Sequence, residues 1–229
     1  EICFAVFDEA SGTFTDQTYV TDNESCDTMP RLCGGSDGII LSWVRNDAAD
    51  LMQETGNNAI YAAAWNGESF EGEDLLAQSF GTIEDFITYQ DGTAVKAVYA
   101  AQIGEGEEKV NVIFNGENQA LESLPELVSD ASSTAVSGMR YEDGAVEFFL
   151  NGALYRYNTS DKTVESFLAG ESAFGSTAKF CSNGEKSGYV WSTYDEDTQT
   201  GRIVASMESD GQYSEPVALY EKQGVIWRC

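Results

Sequence analysis

The side chains best placed for chemistry are oxygen donors. Asp195, Asp197 and Gln199 alternate along one short stretch, and Gly201 closes it. That spacing points to a Ca2+ site, because calcium takes carboxylate and carbonyl oxygens from a tightly wound loop. A solvated acidic turn is the plainer reading. Asp47, Asp50 and Glu54 make a second acidic group. Their spacing suits one face of a short helix over DAADLMQE, with Leu51 and Met52 packing the insert down or meeting a partner. Arg45 precedes this group. Trp43 and Trp191 are candidates for stacking on a sugar, against a plainer role as packing between sheets. The candidate ligand-binding residues are therefore Trp43, Arg45, Asp47, Asp50, Glu54 and Trp191. The candidate metal ligands are Asp195, Asp197 and Gln199.

Other chemistries are excluded by composition. The chain of 229 residues contains no histidine. Histidine general acid–base catalysis, Ser–His and Cys–His pairs, and His-ligated zinc are all ruled out. The formal net charge is −27, with 39 Asp and Glu against 12 Lys and Arg. Nucleic acid is excluded as a partner, since phosphates require clustered Lys and Arg. No run of 18 apolar residues is present, so no membrane insertion is expected. The acidity suits a soluble, self-repelling secreted or cell-surface protein, and more sharply a cation or a basic partner. Of the five cysteines, Cys26 and Cys33 are close enough in sequence to bridge a local loop, and Cys3 and Cys229, where a propeller ring would close, are expected to form a ring-closing disulfide. Cys181 is then left over as a buried strand residue. Disulfides would place the protein outside the cytosol.

These side chains sit on a repeated β pattern. Residues 58–80 read as two strands joined at Asn66-Gly67. Comparable windows occur at 3–20, 110–127, 153–170 and 203–220. A second hairpin precedes every window except the first, turning at Asp37-Gly38, Asp91-Gly92, Asp143-Gly144 and Asn183-Gly184. Asn-Gly and Asp-Gly pairs tolerate the positive φ that two-residue hairpins need. The unit is four short strands in roughly 40 to 58 residues, the period of a β-propeller blade. The expectation is an all-β single domain over 1–229: a propeller of four-stranded antiparallel blades, about five in number, the last shared between the termini. The loops joining second to third strands, 45–57, 102–108 and 195–201, would form one acidic face.

In the fourth unit, Ser209-Asp210-Gly211 followed by Tyr213 and Pro216 resembles a degenerate Asp box of the sialidase-like propellers. In that family the box is Ser-x-Asp-x-Gly-x-x-Trp between the third and fourth strands. Here the spacing is shortened and Tyr replaces Trp. The phrase at 27–44 resembles the first and second strands of such repeats. The resemblance implies three arginines on a substrate carboxylate and a Tyr–Glu nucleophile pair. Among six arginines, Arg31 falls on one first strand and Arg140 near the end of another, which would allow a partial cluster, though no motif places three together. Five-bladed glycosidases use acidic residues near the axis instead.

Two functions follow as expectations. One is a non-catalytic secreted or surface propeller that binds a protein or glycan through its acidic loops. The other is a glycoside hydrolase or sialidase-like enzyme with carboxylates at the axis.

Overall fold

The computed structural model describes residues 1–35, 38–79, 81–104, 110–121, 136–150, 153–169, 178–183, 185–195 and 197–226. Among them there are strands and turns and no helix. An N-terminal hairpin comes first. Its outer pair is β1 (Cys3–Phe4) with β4 (Thr18–Tyr19), and its inner pair is β2 (Phe7–Asp8) with β3 (Thr13–Phe14).

Antiparallel sheets follow in chain order, each built from neighbouring strands. The first holds β5 (Cys26–Gly35), β6 (Gly38–Asn46), β7 (Asn58–Trp65) and β8 (Phe70–Ser79). The second holds β9 (Thr82–Asp91), β10 (Ala94–Ile103) and β11 (Val110–Phe114). The third holds β12 (Val136–Glu142), β13 (Ala145–Leu150), β14 (Ala153–Asn158) and β15 (Val164–Ala169). In the fourth, β16 (Lys179–Ser182), β17 (Ser187–Asp195) and β18 (Thr200–Ser209) pair in turn. The free edge of β18 is shared by β19 (Gln212–Tyr213) and β20 (Val217–Gln223), which are separated at Pro216.

The turns explain the register. Asp143-Gly144 lies between the paired residues Glu142 and Ala145, and Asp210-Gly211 lies between Ser209 and Gln212. Both residues of each pair have positive φ, from 50° to 79°, the hairpin geometry whose twist matches that of its strands.

Alternation along the strands then decides which sheets meet. On β13, Val146, Phe148 and Leu150 face the second sheet and join Tyr89, Val98, Ala100 and Ile113. Phe149, one residue out of phase, faces the fourth sheet and packs with Tyr189, Trp191 and Val204. Val44 and Ile60 meet Phe86 and Tyr99 between the first and second sheets. Leu41 and Trp43 meet Ile2 of the N-terminal hairpin. The sheets thus stack face to face in chain order, with apolar side chains on both faces, and the first strands β5, β9, β12 and β16 lie next to one another.

Closure through a shared fifth sheet is not seen among the described residues. The N-terminal strands pair only with each other, and β20 is exposed along its whole length. Val225 and Ile226 form no strand, and 227–229 lie outside the described residues. The fourth strand expected after 114 also falls there, apart from a bridge between Phe114 and Ala120.

Candidate functional site

The adjoining first strands share an irregularity that no turn signal marks. Each of β5, β9 and β12 carries one residue more than its partner strand: at Met29-Pro30 opposite Trp43, at Glu84, and at Gly138-Met139 opposite Phe148. Such β-bulges bend a strand and re-aim its side chains. The first residue back in register is Arg31, Asp85 and Arg140, respectively.

At this level the four first strands line an open pocket of about 330 Å3. Arg31, Glu84, Asp85, Ser137, Lys179 and Phe180 are among its lining residues, drawn from every one of the four sheets. Arg31 binds Asp85 across the first and second sheets, and its guanidinium lies 4.9 Å from the centre of the Phe86 ring. Asp85 is buried. Burial pushes its carboxyl up, while Arg31 and the Met139 and Phe86 amides pull against that rise. Glu84 has no hydrogen-bond or ion-pair partner among the described residues. Burial, with the Asp85 charge behind it, pushes its carboxyl up to about 7. Lys179 is exposed and likewise makes no ion pair among the described residues.

Around Arg140 of β12 lies a denser knot, built with residues of β13, β14, β18 and β19. Glu147 on β13 receives Arg140 Nε at 2.7 Å, Arg156 Nε at 2.9 Å and the Tyr213 hydroxyl at 2.7 Å. Arg140 also reaches Glu142, and its Nη2 donates to Glu208 and to the Tyr213 oxygen, both at 2.8 Å. Burial works against the Glu147 charge, yet the bonds from Tyr213, Arg140 and Arg156 hold the carboxyl below its ordinary range. The Tyr213 phenol is pushed far above its usual value, by burial first and by Glu147 next.

Tyr213, Glu147, Arg140 and Arg156 thus form one hydrogen-bonded and ion-paired network. Every one of them is occupied by another. The Tyr213 hydroxyl is engaged by Glu147 and Arg140, and both arginines lie within ion-pair distance of Glu147 and Glu208.

Several residues singled out from sequence are held in structural contacts. Arg45 is a brace: its Nε lies 2.7 Å from Asp27, and both its terminal nitrogens reach Glu73, at 2.6 and 2.9 Å. It also lies 4.5 Å above the Tyr61 ring. Trp43 is fully buried and donates Nε1 to Asp27 at 3.0 Å. Trp191 is buried against Phe149. Neither indole presents a face to solvent, so the sugar-stacking reading does not hold for them.

The insert 47–57 is not helical. Ala49, Gln53 and Gly56 have positive φ, and Asp50 draws the amides of Met52, Glu54 and Thr55 onto its carboxylate. Asp side chains that capture local amides compete with helix formation in this way. Asp47 is likewise taken by the backbone and side chain of Asn57. Leu51, Met52 and Glu54 are exposed at the tip.

At the other loop, Asp195 accepts the Thr198 amide at 3.0 Å and lies 3.8 Å from Arg202. The Gln199 carbonyl is taken by Gly224. Asp197 is exposed. Nowhere among the described residues do three or more Asp, Glu or Cys side chains converge as metal ligands.

The cysteine expectations change as well. Cys26 and Cys33 are free and lie on the same extended strand. Seven residues of strand separate their Cα atoms by about 20 Å, whereas a disulfide needs about 7 Å or less. Cys181 is exposed, not buried. Cys229 lies outside the described residues.

Sequence reasoning reached Arg31 and Arg140 but missed Glu84, Asp85 and Lys179. Pro30 and Gly138 are residue types that mark bulges in strands. At Glu84 nothing in the residue type gives the bulge away.

No family model and no curated protein matches the chain. Among solved structures it is similar to a puromycin-hydrolyzing peptidase of Mycobacterium tuberculosis, at 12% sequence identity with a TM-score of 0.52. The likeness covers 87% of this chain, which spans only 32% of that one. At that identity it speaks for the fold alone.

Proposed function

We propose that the chain is a β-propeller-type binding module, non-catalytic and displayed outside the cell, whose acidic outer surface recognises a protein partner with basic character. The propeller reading is supported by the chain-ordered sheets, their adjacent first strands and the open pocket those strands line. One observation carries the functional reading. Each described arginine, namely Arg31, Arg45, Arg140, Arg156 and Arg202, lies within ion-pair distance of a carboxylate. The acidic excess on the surface is therefore left uncompensated, and such a field attracts a positively charged partner.

A basic protein surface suits this better than a neutral glycan, because Trp43 and Trp191 are buried. The exposed Leu51 and Met52 add an apolar tip on a braced loop, and rigid loops bind at lower entropic cost. Hydrolysis of a glycoside needs two carboxylates in complementary states. In the axial cavity Asp85 is bound to Arg31, which leaves Glu84 alone. Peptidase activity belongs to the similar structure and finds no support in the side chains of this site.

The test is a peptide-display selection against the immobilised chain, run beside a glycan array. The expected result is Lys- and Arg-rich peptides whose affinity falls with salt and weakens in a Leu51→Ser, Met52→Ser double variant. Salt-insensitive binding to a neutral glycan would overturn the reading. So would turnover of nitrophenyl glycosides that is lost in Glu84→Gln.

A further inference from the structure

The axial cavity has a charge pattern that the outer surface does not explain. Four charged side chains line it: Arg31 from β5, Glu84 and Asp85 from β9, and Lys179 from β16. Arg31 and Asp85 cancel each other. The two that remain, Glu84 and Lys179, have opposite signs yet make no ion pair with each other. They face a shared space walled by Val136, Met139 and Phe180. Ser137 adds polarity from β12. Its oxygen already accepts the Ala178 amide at 2.9 Å, so its proton is left to donate.

A partly buried carboxylate without a partner is costly. Here the bulge in β9 keeps one aimed at a cavity instead of at a cation of its own. A divalent metal would need more oxygen ligands than this cavity supplies, because one of its two carboxylates already holds Arg31. What fits two separated opposite charges across about 330 Å3 is a small molecule with the reverse arrangement.

We propose that the axial cavity binds a zwitterion of the amino-acid or dipeptide class, its ammonium on Glu84 and its carboxylate on Lys179. This site is separate from the outer acidic surface, and neither reading depends on the other. Binding requires Glu84 to be ionised. The elevated carboxyl value of about 7 makes affinity rise with pH. The neighbouring Asp85 raises that value, whereas the Arg31 charge is spent on Asp85.

The experiment is calorimetric titration with glycylglycine, at an expected affinity on the order of 1 mM. Two blocked probes are run beside it: glycylglycinamide, which lacks the carboxylate, and N-acetylglycylglycine, which lacks the ammonium. Both should bind at least tenfold more weakly. Glu84→Gln should abolish binding of glycylglycine, and Lys179→Gln should reduce it to the level of the amide. Between pH 6 and 7 the wild-type affinity should rise about fivefold, as Glu84 passes from roughly one-tenth to one-half ionised while the dipeptide amine stays protonated. Lys179 is exposed, so its variant is expected to keep the wild-type melting temperature and to report on binding alone. Failure of glycylglycine to bind, equal affinity in Glu84→Gln, or equal affinity for the blocked probes would each overturn the proposal.

Discussion

Tyr213 of β19 donates its phenolic hydrogen across the gap between sheets to Glu147 of β13, at 2.7 Å. The same oxygen accepts Arg140 Nη2 at 2.8 Å. The third and fourth sheets are thereby joined by a charged knot beside their apolar contacts, where satisfied polar networks fix one arrangement and half-satisfied ones are penalised.

Removing one member of that knot strands the others. Glu147→Gln leaves Arg140 and Arg156 undercompensated and should cost about 3–5 kcal/mol in urea unfolding at pH 7. Tyr213→Phe removes one shared hydroxyl and should cost about 1–3 kcal/mol. The Glu147 carboxyl is held below its ordinary range, so its contribution is complete above the unfolded value of about 4.5 and fades as pH falls through the folded value. The gap between wild type and Glu147→Gln should accordingly narrow in acid. A gap that stays constant to pH 3 would contradict this account.

Glu84 has the opposite sign. Its carboxyl value is raised from 4.5 to about 7, so the folded state binds the proton more tightly than the unfolded chain does. Stability should fall as pH rises from about 4.5 to 7 and level off above that. Glu84→Gln lacks this penalty. It should match the wild type near pH 4 and exceed it at pH 8 by on the order of 1–3 kcal/mol. Denaturant titrations at the two pH values decide the matter, and parallel curves would show that Glu84 is not so perturbed.

The carboxylates of Asp47, Asp50 and Asp195 are engaged within their own loops. Asp50 holds three backbone amides of its own loop, so Asp50→Ala should speed limited proteolysis within 47–57 severalfold. For the same reason millimolar calcium should raise the melting temperature no more than magnesium does. A calcium-specific rise that vanishes in Asp195→Asn, Asp197→Asn would restore a cation site at the second loop.

The thiols offer a direct check of β5. Cys26 and Cys33 should both take up N-ethylmaleimide when the protein is unfolded without reductant, and dithiothreitol should leave the melting temperature unchanged. Peptide mapping that finds the two joined would require a different strand there.

Much of the fold was legible because hairpin chemistry is local. Asp143-Gly144 and Asp210-Gly211 announce their turns, and the alternation in AVEFFL separates Phe148 from Phe149 onto opposite faces. The helix expected over 47–54 failed because Asp50 captures amides that a helix would have kept, a competition that apolar spacing does not register. The disulfide expectation failed because seven residues mean proximity in a loop and distance in a strand. The cavity was illegible for a different reason. It depends on which residues of four remote segments stand beside one another, and one extra residue at Glu84 sets that with no change in composition.

The face-to-face order of the sheets has a kinetic corollary. Each sheet comes from one unbroken stretch, the first from 26–79 and the fourth from 179–223, so its strands meet across short loops. Short closures cost little chain entropy and proceed quickly. Folding then divides into rapid local steps and a slower docking of finished sheets, with the Arg31–Asp85 and Tyr213–Glu147 pairs among the last contacts made. If they do form last, substitutions at those two pairs should change the unfolding rate far more than the folding rate.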